Sequence, residues 1–146
     1  MIFPRVHFKP HMLHGAPPGM LGLASKSGWM NNELFVDVLK HFIKHSNSSK
    51  ENPSMLLYDN HESHIYLSAM NIAKENGITV ITFPPSSTHK LQPLDVGVFK
   101  AFQAYYSRAI DSWMMHHPGQ TMSIYEVAHC VGQAHEKCVE LSRNYH

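Results

Sequence analysis

Two stretches decide the fold class: Ser54-Met55-Leu56-Leu57-Tyr58-Asp59 and Ile78-Thr79-Val80-Ile81-Thr82-Phe83. The first is a short apolar run ending abruptly on a carboxylate, a pattern that suits a strand buried on both faces of a parallel sheet. The second is β-branched and aromatic, the strongest strand signal in the chain. Between them the spacing predicts a helix over about 66–75, closed by Asn76-Gly77, a C-terminal cap signature. Strand, helix and strand within about thirty residues read as a βαβ unit, hence two parallel strands joined by a right-handed crossover.

Upstream, Leu34, Phe35, Val38, Leu39, Phe42 and Ile43 form one apolar stripe at helical spacing. Asn31 or Asn32 can cap that helix, Glu33 suits its first turn, and Ser46-Asn47-Ser48-Ser49 ends it as a polar loop. The first thirty residues read as irregular, because Pro4, Pro10, Pro17, Pro18, Gly15, Gly19, Gly22 and Gly28 break helices and long strands. Downstream, Pro84-Pro85-Ser86-Ser87-Thr88 is a loop, and Pro93 precedes a helix. From Asp95 the set Phe99, Phe102, Tyr106, Ile110 and Trp113 predicts an amphipathic helix of about five turns. Pro118-Gly119 stops it, and Ser123 with Glu126 forms a capping box for a last helix. That helix carries Ile124, Val127, Val131, Ala134, Cys138 and Leu141 on one face. The fold class is α/β with a helical C-terminal third.

Composition narrows the function classes only broadly. Twelve Lys plus Arg against 11 Asp plus Glu give a net charge of +1, with 13 His besides. With 43% apolar and 16% charged residues the chain is no charged disordered tail. No stretch approaches the ~20 apolar residues of a spanning helix, and the opening shows no signal peptide. Cys130 and Cys138 cannot build a disulfide framework and fit free thiols in a reducing compartment. So small a net charge exerts no general pull on nucleic acid, and any DNA contact must be local.

Asp59 closes a strand and opens the polar segment Asn60-His61-Glu62-Ser63-His64. Functional side chains of open parallel sheets collect at the carboxyl ends of strands. A carboxylate there suits Mg²⁺ or Mn²⁺, which take oxygen ligands; its structural alternative is to cap the following turn. Asp95 follows the loop that leaves the second strand, and its alternative is a helix N-cap. Together the two acids come from the same edge of adjacent strands, where a shared cation would relieve their repulsion. Metals so held can align water against a phosphodiester, a task for which a third carboxylate is ordinarily wanted. His61, His64 and His89 read as polar residues around that site, and Lys90, Gln92 and Lys100 as contacts to a DNA backbone or as solvated surface. No histidine or cysteine spacing fits a zinc finger. Tyr105, Tyr106 and Trp113 at helical spacing read as core.

Four segments occur in order: Gly15-Ala16-Pro17-Pro18-Gly19, Ser27-Gly28-Trp29-Met30, Leu56-Leu57-Tyr58-Asp59-Asn60-His61-Glu62-Ser63-His64 and Leu91-Gln92-Pro93-Leu94-Asp95-Val96-Gly97-Val98-Phe99. Together they resemble the DDE superfamily endonuclease domain of pogo, Tigger and jerky-type transposases and the proteins derived from them. The resemblance covers residues 1 to about 115 and leaves 116–146 as a helical extension. It implies an RNase H-like fold, a divalent-metal triad of acids, DNA strand cleavage and transfer, and a nuclear location. Asp59 corresponds to the second acid and Asp95 to the third, 36 positions on.

The departure from that pattern lies upstream. The family's first acid sits on an opening strand ahead of the Pro-Pro-Gly segment, whereas no Asp or Glu here precedes Glu33. The expectation is therefore a partial RNase H-like fold, truncated on its N-terminal side, with Ile2-Phe3 as the end of a strand and the first strands missing. Asp59 and Asp95 would then form two-thirds of a Mg²⁺ or Mn²⁺ site, with enzymatic activity from this chain alone in question. The rival is a catalytically silent DNA-binding or protein-interaction module derived from a transposase. A further alternative is an unrelated metal-dependent phosphoesterase with a similar βαβ site. Expected partners are DNA and, through apolar sheet edges at Leu56, Leu57, Val80 and Ile81, a second copy of the chain; no membrane is expected.

Overall fold

The computed structural model describes residues 1–58, 66–84 and 94–143, apart from the side chains of 95, 96 and 141–143. They form a mixed α/β architecture in two compact units, Gly28–Gln92 and Met1–Ser27 with Pro93–His146.

The unit Gly28–Gln92 contains helix α1 (Asn32–Ser46), strand β3 (Ser54–Tyr58), helix α2 (Leu67–Glu75) and strand β4 (Ile78–Thr82). Strands β1 (Ile2–Pro4) and β2 (Leu23–Ser25), in the other unit, precede these in the chain. Asn31 caps α1 as the sequence predicts, its Oδ1 accepting from Leu34 N at 2.9 Å. β3 and β4 pair in parallel, from Ser54 opposite Ile78 to Tyr58 opposite Thr82, and this establishes the expected βαβ unit. Phe35, Leu39, Tyr58, Ala69, Ala73 and Ile78 form its core, with Leu56, Ile72 and Val80 packed alongside. The Phe35 and Tyr58 rings meet edge to face at 5.3 Å.

One expectation is corrected here. β3 is not buried on both faces: Met55 and Leu57 are 57% and 38% exposed. Two strands put alternate residues on opposite faces, and in this unit α1 and α2 cover only the face carrying Leu56, Tyr58, Ile78 and Val80. The polar loop after α1 is more ordered than its composition suggests. Buried Ser48 donates to Ser54 Oγ at 2.7 Å and also bonds Ser46 Oγ, and Asn52 Nδ2 donates to Asn47 O at 3.0 Å. Gly77 follows α2 at φ +67°, and any Cβ there would run into the Ser49 carbonyl, so both backbone and space demand glycine.

In the second unit the irregular opening is also corrected. Strand β1 (Ile2–Pro4) pairs in parallel with β2 (Leu23–Ser25), Phe3 opposite Ala24. Prolines and glycines hid strands of only three residues: β1 ends on Pro4, and β2 fits between Gly22 and Gly28. A 3₁₀ turn (Pro10–Leu13) buries Met12. Helix α3 (Phe99–His116) runs five turns and packs on α4 (Ile124–Arg143). Leu94–Val98, a turn of π-helix, leads directly into it, so helical structure begins beside Asp95 as the spacing predicts.

Ser123 and Glu126 do form the expected cap of α4. Ser123 N and Oγ both donate to Glu126 Oε2, at 2.7 and 2.5 Å, and Tyr125 N donates to Ser123 Oγ at 3.3 Å. The buried positions of α4 are Ala128, Cys130, Gly132 and Ala134, of which only Ala134 belongs to the predicted stripe. The reason is that α4 touches two partners, α3 and the 3₁₀-turn segment. Cys130 and Cys138 are free thiols, and burial pushes Cys130 above the usual thiol range.

Candidate functional site

The site suggested by the sequence begins where β3 ends. Tyr58 stands opposite Thr82 at the carboxyl ends of β3 and β4, and Phe83 N donates to Tyr58 O at 3.2 Å, carrying the pairing one step further. Parallel strands deliver both outgoing chains to this one edge, the position where open sheets place their chemistry. Tyr58 is anchored below that edge by Phe35 and by its hydroxyl, 3.8 Å from Met70 Sδ; burial raises its phenol above the ordinary value. A rigid, buried residue thus immediately precedes Asp59 in the chain.

Asp59 itself lies outside the described residues, as do His61, His64, His89, Lys90 and Gln92. For Asp95 the backbone is described and the side chain is not: it belongs to the π-turn Leu94–Val98. That turn runs directly into α3, so Asp95 lies in the first turn of one helical run, where a carboxylate also suits the helix N-terminus. Single π-turns are rare and frequent at functional sites, because the extra residue re-aims its neighbours. Leu94, Val98 and Phe99 around it are each nearly half exposed. Lys100, the remaining basic candidate, is exposed on the first turn of α3.

By donor chemistry two aspartates suit a hard divalent cation of the Mg²⁺ class. Among the described residues no group of three or more His, Cys, Asp or Glu is gathered to hold a metal. Sequence reasoning did not foresee one further feature, a cleft of the second unit lined by His11, His14, Trp113, Tyr125, Glu126 and His129. Those residues come from three separated segments, and no local spacing announces them.

The sequence model of the DDE superfamily endonuclease family matches residues 11–143. A curated relative, "MFS-type transporter clz9" of Cochliobolus lunatus, is 42% identical over 94 residues, which is 64% of this chain and 10% of the relative. The chain therefore spans about a tenth of the length of that relative. No helix among the described residues is long and apolar enough to cross a membrane. No solved structure matches the chain.

Proposed function

We propose, from the premise that this chain belongs to the DDE superfamily endonuclease family, that it is a transposase-derived domain of RNase H-like fold acting on DNA in the nucleus. The single observation that carries the reading is the family match over residues 11–143. The parallel β3–α2–β4 unit, whose first strand ends at the residue before Asp59, supports it.

In this reading Asp59 and Asp95 are metal-binding carboxylates. A divalent ion held there supplies charge stabilisation to a phosphodiester under attack. The chain's own contribution is to hold the acids: Tyr58, locked by Phe35, fixes the base of the Asp59 segment, and the π-turn sets the backbone at Asp95. His61, His64, His89, Lys90 and Gln92 stand in the same two segments as the acids and are proposed to meet the DNA backbone. No acid precedes Glu33, so these 146 residues carry only two acids at triad positions. Two acids alone support weak cleavage at most; the alternative reading is a catalytically silent DNA-binding or protein-interaction module derived from a transposase.

The test is nicking of supercoiled DNA with Mg²⁺ or Mn²⁺, alongside binding measured without metal. Binding with weak or absent nicking is expected, and Asp59→Asn and Asp95→Asn should each abolish any metal-dependent nicking. Nicking that persists in both variants would remove these residues from the chemistry.

A further inference from the structure

The cleft between the 3₁₀ turn, α3 and the start of α4 has a volume of about 590 Å³. That lies inside the range of about 300–1,000 Å³ typical of sites for small organic groups. Its lining is mostly ring systems, and those of Trp113, Tyr125, His11 and His129 each have a neighbouring ring or side chain beside them. Trp113 stacks on His117 at 4.3 Å with 15° between the planes, and His117 Nδ1 is 2.8 Å from Trp113 O. Tyr125 lies 5.2 Å from the His11 ring. His129 Nε2 is 3.1 Å from Gln133 Nε2. Glu126 Oε2 is occupied by Ser123, which fixes the carboxylate and leaves Oε1 to accept.

Such a wall favours a flat, π-faced group. Rigid aromatic planes stack any nucleobase, and the ordering cost is already met by their partners. Phosphate is disfavoured, because no lysine or arginine lines the cleft among the described residues and Glu126 would repel it. A carboxylate only accepts hydrogen bonds, so its open oxygen selects a base edge whose donor is not flanked on both sides by acceptors. Guanine presents N1–H beside its N2 amino group, whereas the single N3–H of thymine is flanked by two carbonyl oxygens.

We infer that this cleft captures an unpaired nucleobase, guanine in preference to thymine, stacked between Trp113 and Tyr125 with its donor edge on Glu126. The inference rests on the nucleic-acid reading above and deepens it, with a site apart in sequence from the Asp59 segment.

Trp113 reports on its own cleft. The chain has two tryptophans, and in a Trp29→Phe background Trp113 is the only one left to excite selectively at the red edge, beyond tyrosine absorption. Titration in EDTA uses three single-stranded trinucleotides, with a central guanine, a central thymine or a central abasic sugar. The guanine probe should quench saturably, at least about tenfold tighter than the abasic one, as expected for one stacked base. Tyr125→Ala should lose about that factor with an unchanged circular dichroism spectrum; Tyr125→Leu, which keeps apolar bulk without a π-face, should lose it too. Glu126→Gln should bring guanine down to the thymine level. Equal quenching by the abasic probe, no saturable quenching, or full affinity in a folded Tyr125→Leu variant would overturn the proposal. Because EDTA silences metal-dependent nicking, intact quenching without nicking supports this site even if the nuclease reading fails. Nicking without quenching sinks this site alone.

Discussion

The carbonyl oxygen of Gly15 lies directly against the Cα of Gly132, so close that any Cβ on Gly132 would overlap it. Gly15 itself is at φ +77°, and a Cβ there would stand 2.7 Å from His129 Nδ1. A loop glycine and a mid-helix glycine, far apart in the chain, thus meet backbone to backbone, and the Gly15-Ala16-Pro17-Pro18-Gly19 segment is seated on α4.

Replacing Gly132 by alanine is therefore expected to destabilise the protein. In an ordinary helix interior the same change stabilises by roughly 0.5–1 kcal/mol. Here the added methyl must push the Gly15 segment away, at about 1–3 kcal/mol. Thermal unfolding followed at 222 nm checks it: a Tm at or above wild type would mean that the contact yields freely.

Leu39 is 2% exposed in the core of the β3–β4 unit, and Met55 is 57% exposed on the uncovered sheet face. Leu39→Ala should cost about 2–5 kcal/mol through lost burial and a cavity. Met55→Ala should lie within about 0.5 kcal/mol of wild type, as for other surface substitutions. Urea unfolding of both variants measures the contrast, and similar losses would show that the two faces of β3 are equally covered.

The α4 cap couples stability to pH. Hydrogen bonds from Ser123 hold the Glu126 carboxyl below its ordinary range. A folded pKa lowered relative to the unfolded chain stabilises the fold above the unfolded value of about 4.3. That contribution fades as pH falls through the lowered folded value. Ser123→Ala should cost about 0.5–2 kcal/mol near neutrality, and the cost should shrink in acid. Denaturation at pH 7 and at pH 3 tests the sign; an equal cost at both would detach the cap from ionisation of Glu126.

Leu57 and Ile81 face each other across the β3–β4 register and are 38% and 42% exposed. If two copies associate through this sheet, Leu57→Lys with Ile81→Lys should shift elution to the monomer position without lowering Tm. Sedimentation across a concentration series reads the outcome directly. A wild-type chain that is monomeric at every concentration would retire self-association.

Local signals made much of this protein readable before any coordinates. Asn31, Ser123 and Glu126 announced helix starts because capping is a contact among neighbours in sequence. The β-branched and aromatic run from Ile78 onward, with Asn76-Gly77 before it, marked a strand after a helix. The resemblance carried by the Asp59 and Asp95 segments named the family that the match over residues 11–143 then established. What periodicity could not supply were consequences of distance along the chain. The pairing of three-residue β1 with β2 depends on strands too short to have a period. The exposure of Met55 and Leu57 depends on which face the helices cover, not on how apolar β3 is. The π-turn at Asp95, the seating of Gly15 on Gly132 and the ring-lined cleft around Trp113 arise from packing between segments that share no local pattern. Composition and spacing determined the helices, the parallel unit and the acids worth testing. Tertiary packing decided which surfaces stay open, because burial is a property of neighbours that the chain meets only once folded.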